Sequence, residues 1–140
     1  MKQLIKFILI TSALAINAQT NSKSPEELSN DAIEQGNGKA ESNNWQGALS
    51  DYTNAISYNG KNAVAYNKRG VARQNLRDYR GAIMDFSKAI YLNNSDGASY
   101  YGRGMCYYML GQKQKCCLEF TRATEYGYND AYQAIQNYCN

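Results

Sequence analysis

Histidine is absent from this 140-residue chain, and only one proline, one tryptophan and three phenylalanines are present. Without histidine the chain cannot form Ser-His-Asp or Cys-His catalytic groups, and it lacks the side chain best suited to proton transfer near pH 7. The most versatile metal ligand is missing for the same reason, and the cysteines do not form paired C-x-x-C units. We therefore expect a protein that is not an enzyme and that needs no metal or other cofactor.

Charge is also limited. The chain has 15 basic and 12 acidic residues, a net charge of +3. A protein that binds nucleic acid must neutralise many phosphates, so this balance argues against a nucleic-acid partner. The length corresponds to one domain.

The first 18 residues have the pattern of a secretory signal peptide. Lys2 and Lys6 precede an apolar run that ends near Ile16, and small residues follow up to Ala18. The alternative is an uncleaved membrane anchor, but a span needs about 20 apolar residues and this run has only about ten. We expect cleavage after Ala18 and export to the periplasm or the extracellular space. There is no cysteine near the expected cleavage site, so we expect no lipid anchor. We also expect no membrane span in the mature chain.

The folded domain is predicted to occupy residues 25–140, after a flexible segment at 19–24. Ser24 has the position of a helix N-cap, Pro25 that of the first helical residue, and Glu27 that of the residue that closes a capping box.

A period of 34 residues dominates this domain. Glycine recurs at positions 36, 70 and 104, an aromatic residue at 52, 86 and 120, and alanine at 55, 89 and 123. Several columns in one phase, without a gap, indicate a repeat architecture. The predicted repeats are 29–62, 63–96 and 97–130, with a last helix at 131–139.

Each repeat has a helical pattern. Ala82, Phe86 and Ala89 fall on one face of a helix, and a second helix is indicated over residues 63–76. The repeated glycine costs a helix about 1 kcal/mol relative to alanine, so we expect a packing reason for it. We predict that the glycine of one helix lies opposite the small residue of the next, as Gly70 with Ala82.

These columns resemble the tetratricopeptide repeat. That family has an aromatic, glycine and aromatic pattern on its first helix and Ala-x-x-x-Phe followed by alanine on its second. The second repeat supplies Tyr66, Gly70, Ala82, Phe86 and Ala89, and the third supplies Tyr100, Gly104, Tyr107, Phe120 and Ala123. The resemblance implies an all-α, right-handed α-solenoid of three helical hairpins with a C-terminal capping helix. The closing pattern, Cys116-Cys117, Gly127-Tyr128 and Tyr138-Cys139, resembles that of exported members from bacterial envelopes.

Two arginines depart from the family pattern. Arg69 and Arg103 stand where leucine is common, and a charge facing the interior needs a partner. Acidic residues recur at 51, 85 and 119. We predict a ladder of arginine–carboxylate pairs, either between repeats or within them; exposed, solvated charges are the alternative.

The four cysteines allow disulfides if the chain is exported. Similar envelope proteins often end with a cysteine pair that closes the last helix, which implies a bond between Cys117 and Cys139. Their places in the stacked hairpins agree with this pairing. Cys106 and Cys116 lie in small-residue columns and are expected to be core thiols, with a second disulfide as the alternative.

The resemblance also implies a function. Tetratricopeptide repeats bind an extended peptide or a partner helix on the concave face formed by the first helix of each hairpin, which predicts a protein-interaction module or scaffold of the cell envelope. The alternative is an aromatic-lined site for a glycan or small ligand, and self-association is also open. The predicted partner-binding residues are Asn37, Asn67, Val71, Gln74, Tyr101, Met105 and Tyr108.

One form of peptide binding is not expected. Some members of the family hold a C-terminal carboxylate with a fixed set of lysine, arginine and asparagine residues. Only Asn37 matches that set, while Ile33, Ala98 and Gly102 replace the expected bases.

Overall fold

The fold is a stack of helices in a computed structural model that describes residues 22–140. The predicted signal peptide and residues 19–21 of the 19–24 segment lie outside the described residues. Each helix packs on the next one along the chain. No helix within 22–140 has the length and hydropathy needed to span a membrane. The helices are α1 Pro25–Glu41, α2 Trp45–Tyr58, α3 Ala63–Asn75, α4 Tyr79–Leu92, α5 Gly97–Met109, α6 Lys113–Glu125 and α7 Asp130–Tyr138.

These helices form the predicted all-α solenoid. Helices α1 and α2, α3 and α4, and α5 and α6 are three antiparallel hairpins, and α7 packs on α6 at the C-terminal end. The first helices of successive hairpins also touch one another. Because each hairpin contacts only its neighbours, the fold is the quasi-one-dimensional stack typical of helical repeats.

The start of the domain agrees with its sequence signal. Ser24 caps α1: its side chain accepts a hydrogen bond from the Glu27 backbone N–H at 3.2 Å, and the Glu27 carboxylate accepts one from the Ser24 backbone N–H at 2.7 Å. The hydrogen bonds from Ser24 to the carboxylate, first of all the one from its backbone N–H, favour the charged form and lower the pKa of Glu27. The predicted capping box is therefore confirmed.

The repeated glycines lie against aromatic rings. A Cβ added to Gly70 would be 2.9 Å from Cε1 of Phe86, and one added to Gly104 would be 2.8 Å from Cε1 of Phe120. We predicted Ala82 opposite Gly70; the side chain nearest to the glycine is the ring of Phe86, one turn after Ala82. Removing the Cβ lets the ring approach the helix backbone, which offsets the cost of glycine in a helix.

Gly102 extends this packing from one hairpin to the next. A Cβ at Gly102 would be 2.5 Å from Cζ of Phe86, whose side chain is fully buried. Phe86 thus lies between the backbone of α3 in its own hairpin and the backbone of α5 in the following one. Position 102 is a glycine because the Phe86 ring contacts helix backbones on both of its sides.

Replacing Gly102 by alanine should lower the free energy of unfolding by about 1–2 kcal/mol. The new methyl group must displace a buried ring, which costs roughly 1–3 kcal/mol, while alanine recovers up to about 1 kcal/mol of helix propensity. Gly38→Ala is the matched control, since a Cβ there meets no atom within 4 Å. It should raise stability by about 0.5–1 kcal/mol. Urea denaturation of both variants measures the two effects; a stabilised Gly102→Ala variant would contradict the packing.

The arginine–carboxylate ladder runs within the hairpins. Arg69 donates to Asp85 through Nε at 3.0 Å and NH2 at 2.8 Å, and Arg103 donates to Glu119 at 2.9 and 2.7 Å. The within-repeat alternative is therefore confirmed and the between-repeat pairing is not formed. In the first hairpin Gln35 stands at the position of Arg69, and the acid pairs with Lys39, whose Nζ lies 2.7 Å from Asp51 Oδ2.

The C-terminal helix α7 is held to α6 by the packing of small residues and by a disulfide. Ala131 and Ala134 of α7 are buried, and the structure joins Cys117 of α6 to Cys139 in a disulfide. Cys106 and Cys116 are free, buried thiols, and burial raises the pKa of Cys106 to about 12. Both free thiols therefore act as small core residues in this structure, as the sequence predicts.

Candidate functional site

The first helices α1, α3 and α5 form the wall of the predicted binding face. Side-chain hydrogen bonds join them: Asn62 donates to Ser29 Oγ at 3.0 Å, and Asn67 donates to Ser99 Oγ at 2.8 Å. Ser29 and Ser99 are fully buried. These bonds fix neighbouring first helices to one another, so the face is a preformed surface.

A pocket of about 380 Å³, here called the N-terminal pocket, lies where α1, α2 and α3 meet. It brings together two residues of the predicted site, Asn37 and Val71, with others from all three helices. Its lining consists of Asn37, Ala40, Glu41, Trp45, Tyr52, Lys68 and Val71.

The N-terminal pocket presents apolar surface beside hydrogen-bonding groups. The Tyr52 hydroxyl donates to Asn37 Oδ1 at 2.9 Å, which orients the amide and leaves its NH2 group able to donate elsewhere. Burial raises the pKa of Tyr52, so its hydroxyl stays protonated. Trp45 and Lys68 are half-buried. The pocket can therefore hold an apolar side chain of a ligand together with a neighbouring ligand group that accepts hydrogen bonds.

A second concavity, here called the C-terminal cup, has a volume of about 340 Å³ and lies between α5 and α7. Tyr101, from the predicted site, lines it, and most of the other lining groups are polar side chains of the capping helix. The lining consists of Tyr101, Asn129, Asp130, Gln133, Ala134, Asn137 and Tyr138.

The tyrosines of α5 are partly taken up in packing against this end of the molecule. The Tyr101 ring lies 4.9 Å from the Tyr128 ring, and the Tyr108 ring lies 4.4 Å from the Tyr138 ring, between centroids. Burial raises the pKa of Tyr101. The tyrosine pattern therefore serves two purposes, since the same rings that support α7 also border the cup.

The remaining predicted residues line neither of these two concavities. Asn67 uses its amide in the bond to Ser99, Met105 is half-buried against the C-terminal core, and Gln74 is half-buried in the last turn of α3. Tyr108 keeps 41% of its surface exposed. The structure therefore does not gather the seven predicted residues in a single pocket: Asn37 and Val71 line the N-terminal pocket, and Tyr101 lines the C-terminal cup.

Several lining residues were missed by the sequence reasoning. Lys68 is next to the predicted Asn67 but reaches the pocket of the preceding hairpin, and Trp45 enters from a second helix. In α7 the signal was available: Asn129, Gln133 and Asn137 recur every four residues, which places them on one side of a helix.

Three sulfur atoms form the one cluster of metal-ligand type found among residues 22–140. The Sγ atoms of Cys116, Cys117 and Cys139 all lie within 4.8 Å of one another. The disulfide uses two of them, so a single buried thiol remains as a ligand, and burial raises the pKa of Cys116. With its disulfide formed, this cluster is structural.

No protein-family model matches the chain, and the comparison with curated proteins gave no match. Solved structures do match. The TPR domain of Arabidopsis OM64 is 25% identical, with 81% of this chain and 98% of that one covered and a TM-score of 0.76. The second TPR domain of human RPAP3, solved in complex with the HSP70 peptide SGPTIEEVD, is 23% identical, with 84% and 99% covered and a TM-score of 0.78.

A further match is PcrH, solved in complex with the chaperone binding region of PopD. It is 14% identical, with 79% of this chain and 90% of that one covered and a TM-score of 0.75. At these identities the likeness concerns the fold, and two of the three proteins were solved with a bound partner segment.

Proposed function

We propose that this chain, a tetratricopeptide repeat protein by its fold, is a non-enzymatic interaction module that binds a peptide or a partner helix on its concave face. The observation that carries the proposal is the N-terminal pocket, in which three helices bring an apolar wall and free hydrogen-bonding groups together. Neighbours of the same fold bind peptides, as the human RPAP3 domain does with its HSP70 peptide.

The lining of the pocket indicates the chemistry of the segment it would hold. Trp45 and Val71 offer apolar contact, and tryptophan is enriched among residues that dominate binding energy. Lys68 and the Asn37 amide supply donors, while Glu41 supplies an acceptor. A segment with an apolar side chain next to an amide or acidic group matches this arrangement.

A terminal carboxylate held by several bases is not the expected ligand. Lys68 is the single basic residue in the lining of the N-terminal pocket, and Ile33 is buried in the core. Gly102 packs directly on Phe86 and leaves no room for a side chain. The mode of binding proposed here is therefore an internal segment that lies along the groove.

The chain is also proposed to act outside the cytoplasm, in the cell envelope or beyond it. The basic, apolar and small-residue order of residues 1–18 supports export, and a disulfide between Cys117 and Cys139 suits an oxidising compartment. Cleavage after Ala18 remains a prediction.

Reversing the charge of Lys68 tests the binding proposal. We expect Lys68→Glu to weaken capture of peptides from an immobilised library of extended segments at least tenfold, which corresponds to about 1.4 kcal/mol. Lys88→Glu is the matched control, because Lys88 is an exposed lysine of α4 that does not line the pocket. Fluorescence of the single Trp45 reports occupancy directly.

Equal loss of binding in the Lys68 and Lys88 variants would show that net charge, and not the pocket, controls capture. Unchanged binding in Lys68→Glu would remove the N-terminal pocket from the proposal. Circular dichroism of each variant verifies that the helices are retained.

A further inference from the structure

We propose that the C-terminal cup is a separate binding site for a neutral sugar ring, a pyranose unit of a glycan. This site does not use the N-terminal pocket, and neither proposal depends on the other. The cup combines a cavity of small-ligand size, a row of amide side chains, two tyrosines and an almost uncharged lining.

The size of the cup favours one small ring. Its volume of about 340 Å³ is at the lower end of the range of roughly 300–1,000 Å³ for small-molecule sites. Its walls come from one residue of α5 and from the last helix of the chain. A pyranose ring fits within this volume, whereas only a short part of an extended peptide would lie in it.

The polar wall has the donors and acceptors that a polyhydroxylated ring needs. Asn129, Gln133 and Asn137 are exposed and lie on one side of α7 at four-residue intervals. Each amide offers two donors and an acceptor oxygen. A pyranose presents hydroxyl groups that both donate and accept around its rim, so a row of three amides can pair with several hydroxyls at once.

The aromatic part of the lining supplies apolar contact. Tyr101 and Tyr138 are half-buried and held by neighbouring rings, Tyr101 by Tyr128 and Tyr138 by Tyr108. A tyrosine has an apolar body and a polar tip. Rings fixed in this way can pack against the C–H groups of a sugar with little further loss of side-chain freedom.

The charge of the cup disfavours anionic ligands. Asp130 is its only carboxylate, and no lysine or arginine lines it. Burial raises the pKa of Tyr101, so that hydroxyl remains neutral at physiological pH. An anionic sugar or phosphate would meet repulsion without a compensating base, whereas a neutral ring would find Asp130 as a further acceptor.

Nuclear magnetic resonance of the full chain with its disulfide formed tests the inference. The probes are the methyl glycosides of glucose, galactose, mannose and N-acetylglucosamine. We expect at least one of them to shift the side-chain NH2 signals of Asn129, Gln133 and Asn137 in a saturable way, while the signal of Asn37 stays in place.

The chain offers a matched pair of variants. Gln133→Ala should weaken the responding glycoside at least tenfold, whereas Gln136→Ala, on the same helix and exposed but outside the cup, should leave binding unchanged. No shift with any of the four glycosides, or equal weakening by both variants, would overturn the proposal. Tighter binding of choline than of any glycoside would also overturn it, because Asp130 and the tyrosines would then form a cation site. Tighter binding of an uncharged peptide would overturn it too, because the amides would then pair with a peptide backbone.

Discussion

Replacing Asp85 by alanine should lower the free energy of unfolding by about 3 kcal/mol, because it leaves Arg69 without its carboxylate and Arg73 with only the Gly81 carbonyl and Asp78 as partners. Arg69 donates to Asp85 at 2.8 and 3.0 Å and Arg73 at 2.9 Å, and the Asp85 side chain is only 4% exposed. Arg69 and Arg73 are 15% and 27% exposed, so water can reach them in part and the lower end of the usual 3–5 kcal/mol applies.

Asp31 is the matched control for this prediction. It pairs with Lys23 on the surface, where the two side chains are 41% and 59% exposed. Asp31→Ala should change stability by less than about 1 kcal/mol, as for other exposed ion pairs. Denaturation of both variants in guanidinium chloride measures the difference. Similar losses in the two variants would mean that the carboxylate of Asp85 contributes no more than a surface charge does.

The ladder also shows where the sequence was ambiguous. Arg69 lies 16 residues from Asp85 and 18 residues from Asp51, so spacing alone cannot choose between the two acids. The choice depends on how the second helix of a hairpin is rotated against the first. Phe86 packs on Gly70 where these two helices meet, a contact that joins two columns of the repeat.

The architecture could be predicted because every level of the sequence agrees on it. The 34-residue period, the helical spacing of Ala82 and Phe86, and the cap at Ser24 all describe the same hairpins. When local and long-range signals are consistent, one fold is strongly favoured over its competitors. The helices observed over residues 25–138 follow from these signals.

The candidate site could be predicted only in part, because its pockets combine side chains from different helices. Asn37 and Val71 lie on first helices and follow from the repeat, but Trp45 reaches the same pocket from a second helix. The wall of the C-terminal cup belongs to α7, which lies outside the repeat period. The repeat column of Asn129 holds Lys61 and Ser95 and so shows no recurring residue type, and Asn137 lies beyond the repeats; neither could be found from the 34-residue period.

The capping helix makes the two ends of the groove different. Tyr101 would be a solvent-facing residue of the groove in an array without α7; here it borders a cup whose other wall is that helix. The tyrosines of α5 thus pack against the C-terminal end of the stack and also form part of the surface of the cup. A terminal helix that closes the core and supplies a ligand site must be held firmly, which gives the disulfide a functional consequence.

Removing the disulfide by the double substitution Cys117→Ser and Cys139→Ser should lower the free energy of unfolding by about 3 kcal/mol. The two cysteines are 22 residues apart in the chain, so their bond restricts a long loop of the unfolded state. Helix α7 has only nine residues, and a helix of that length is marginal by itself. The double variant is preferable to either single one, since Cys116 lies within 4.8 Å of both sulfurs and could pair with the cysteine left behind.

Reductant provides the matched comparison for the double variant. The wild type should lose stability on reduction by about the same amount, while the double variant should not respond, which separates loss of the bond from effects of serine. Hydrogen exchange should then be fastest in α7, because local opening occurs where little else holds the backbone, and helices α1 to α4 should keep their protection. If the double variant is as stable as the oxidised wild type, or if α7 stays protected in it, the buried Ala131 and Ala134 are sufficient to hold the cap. In that case the disulfide has no part in forming the cup.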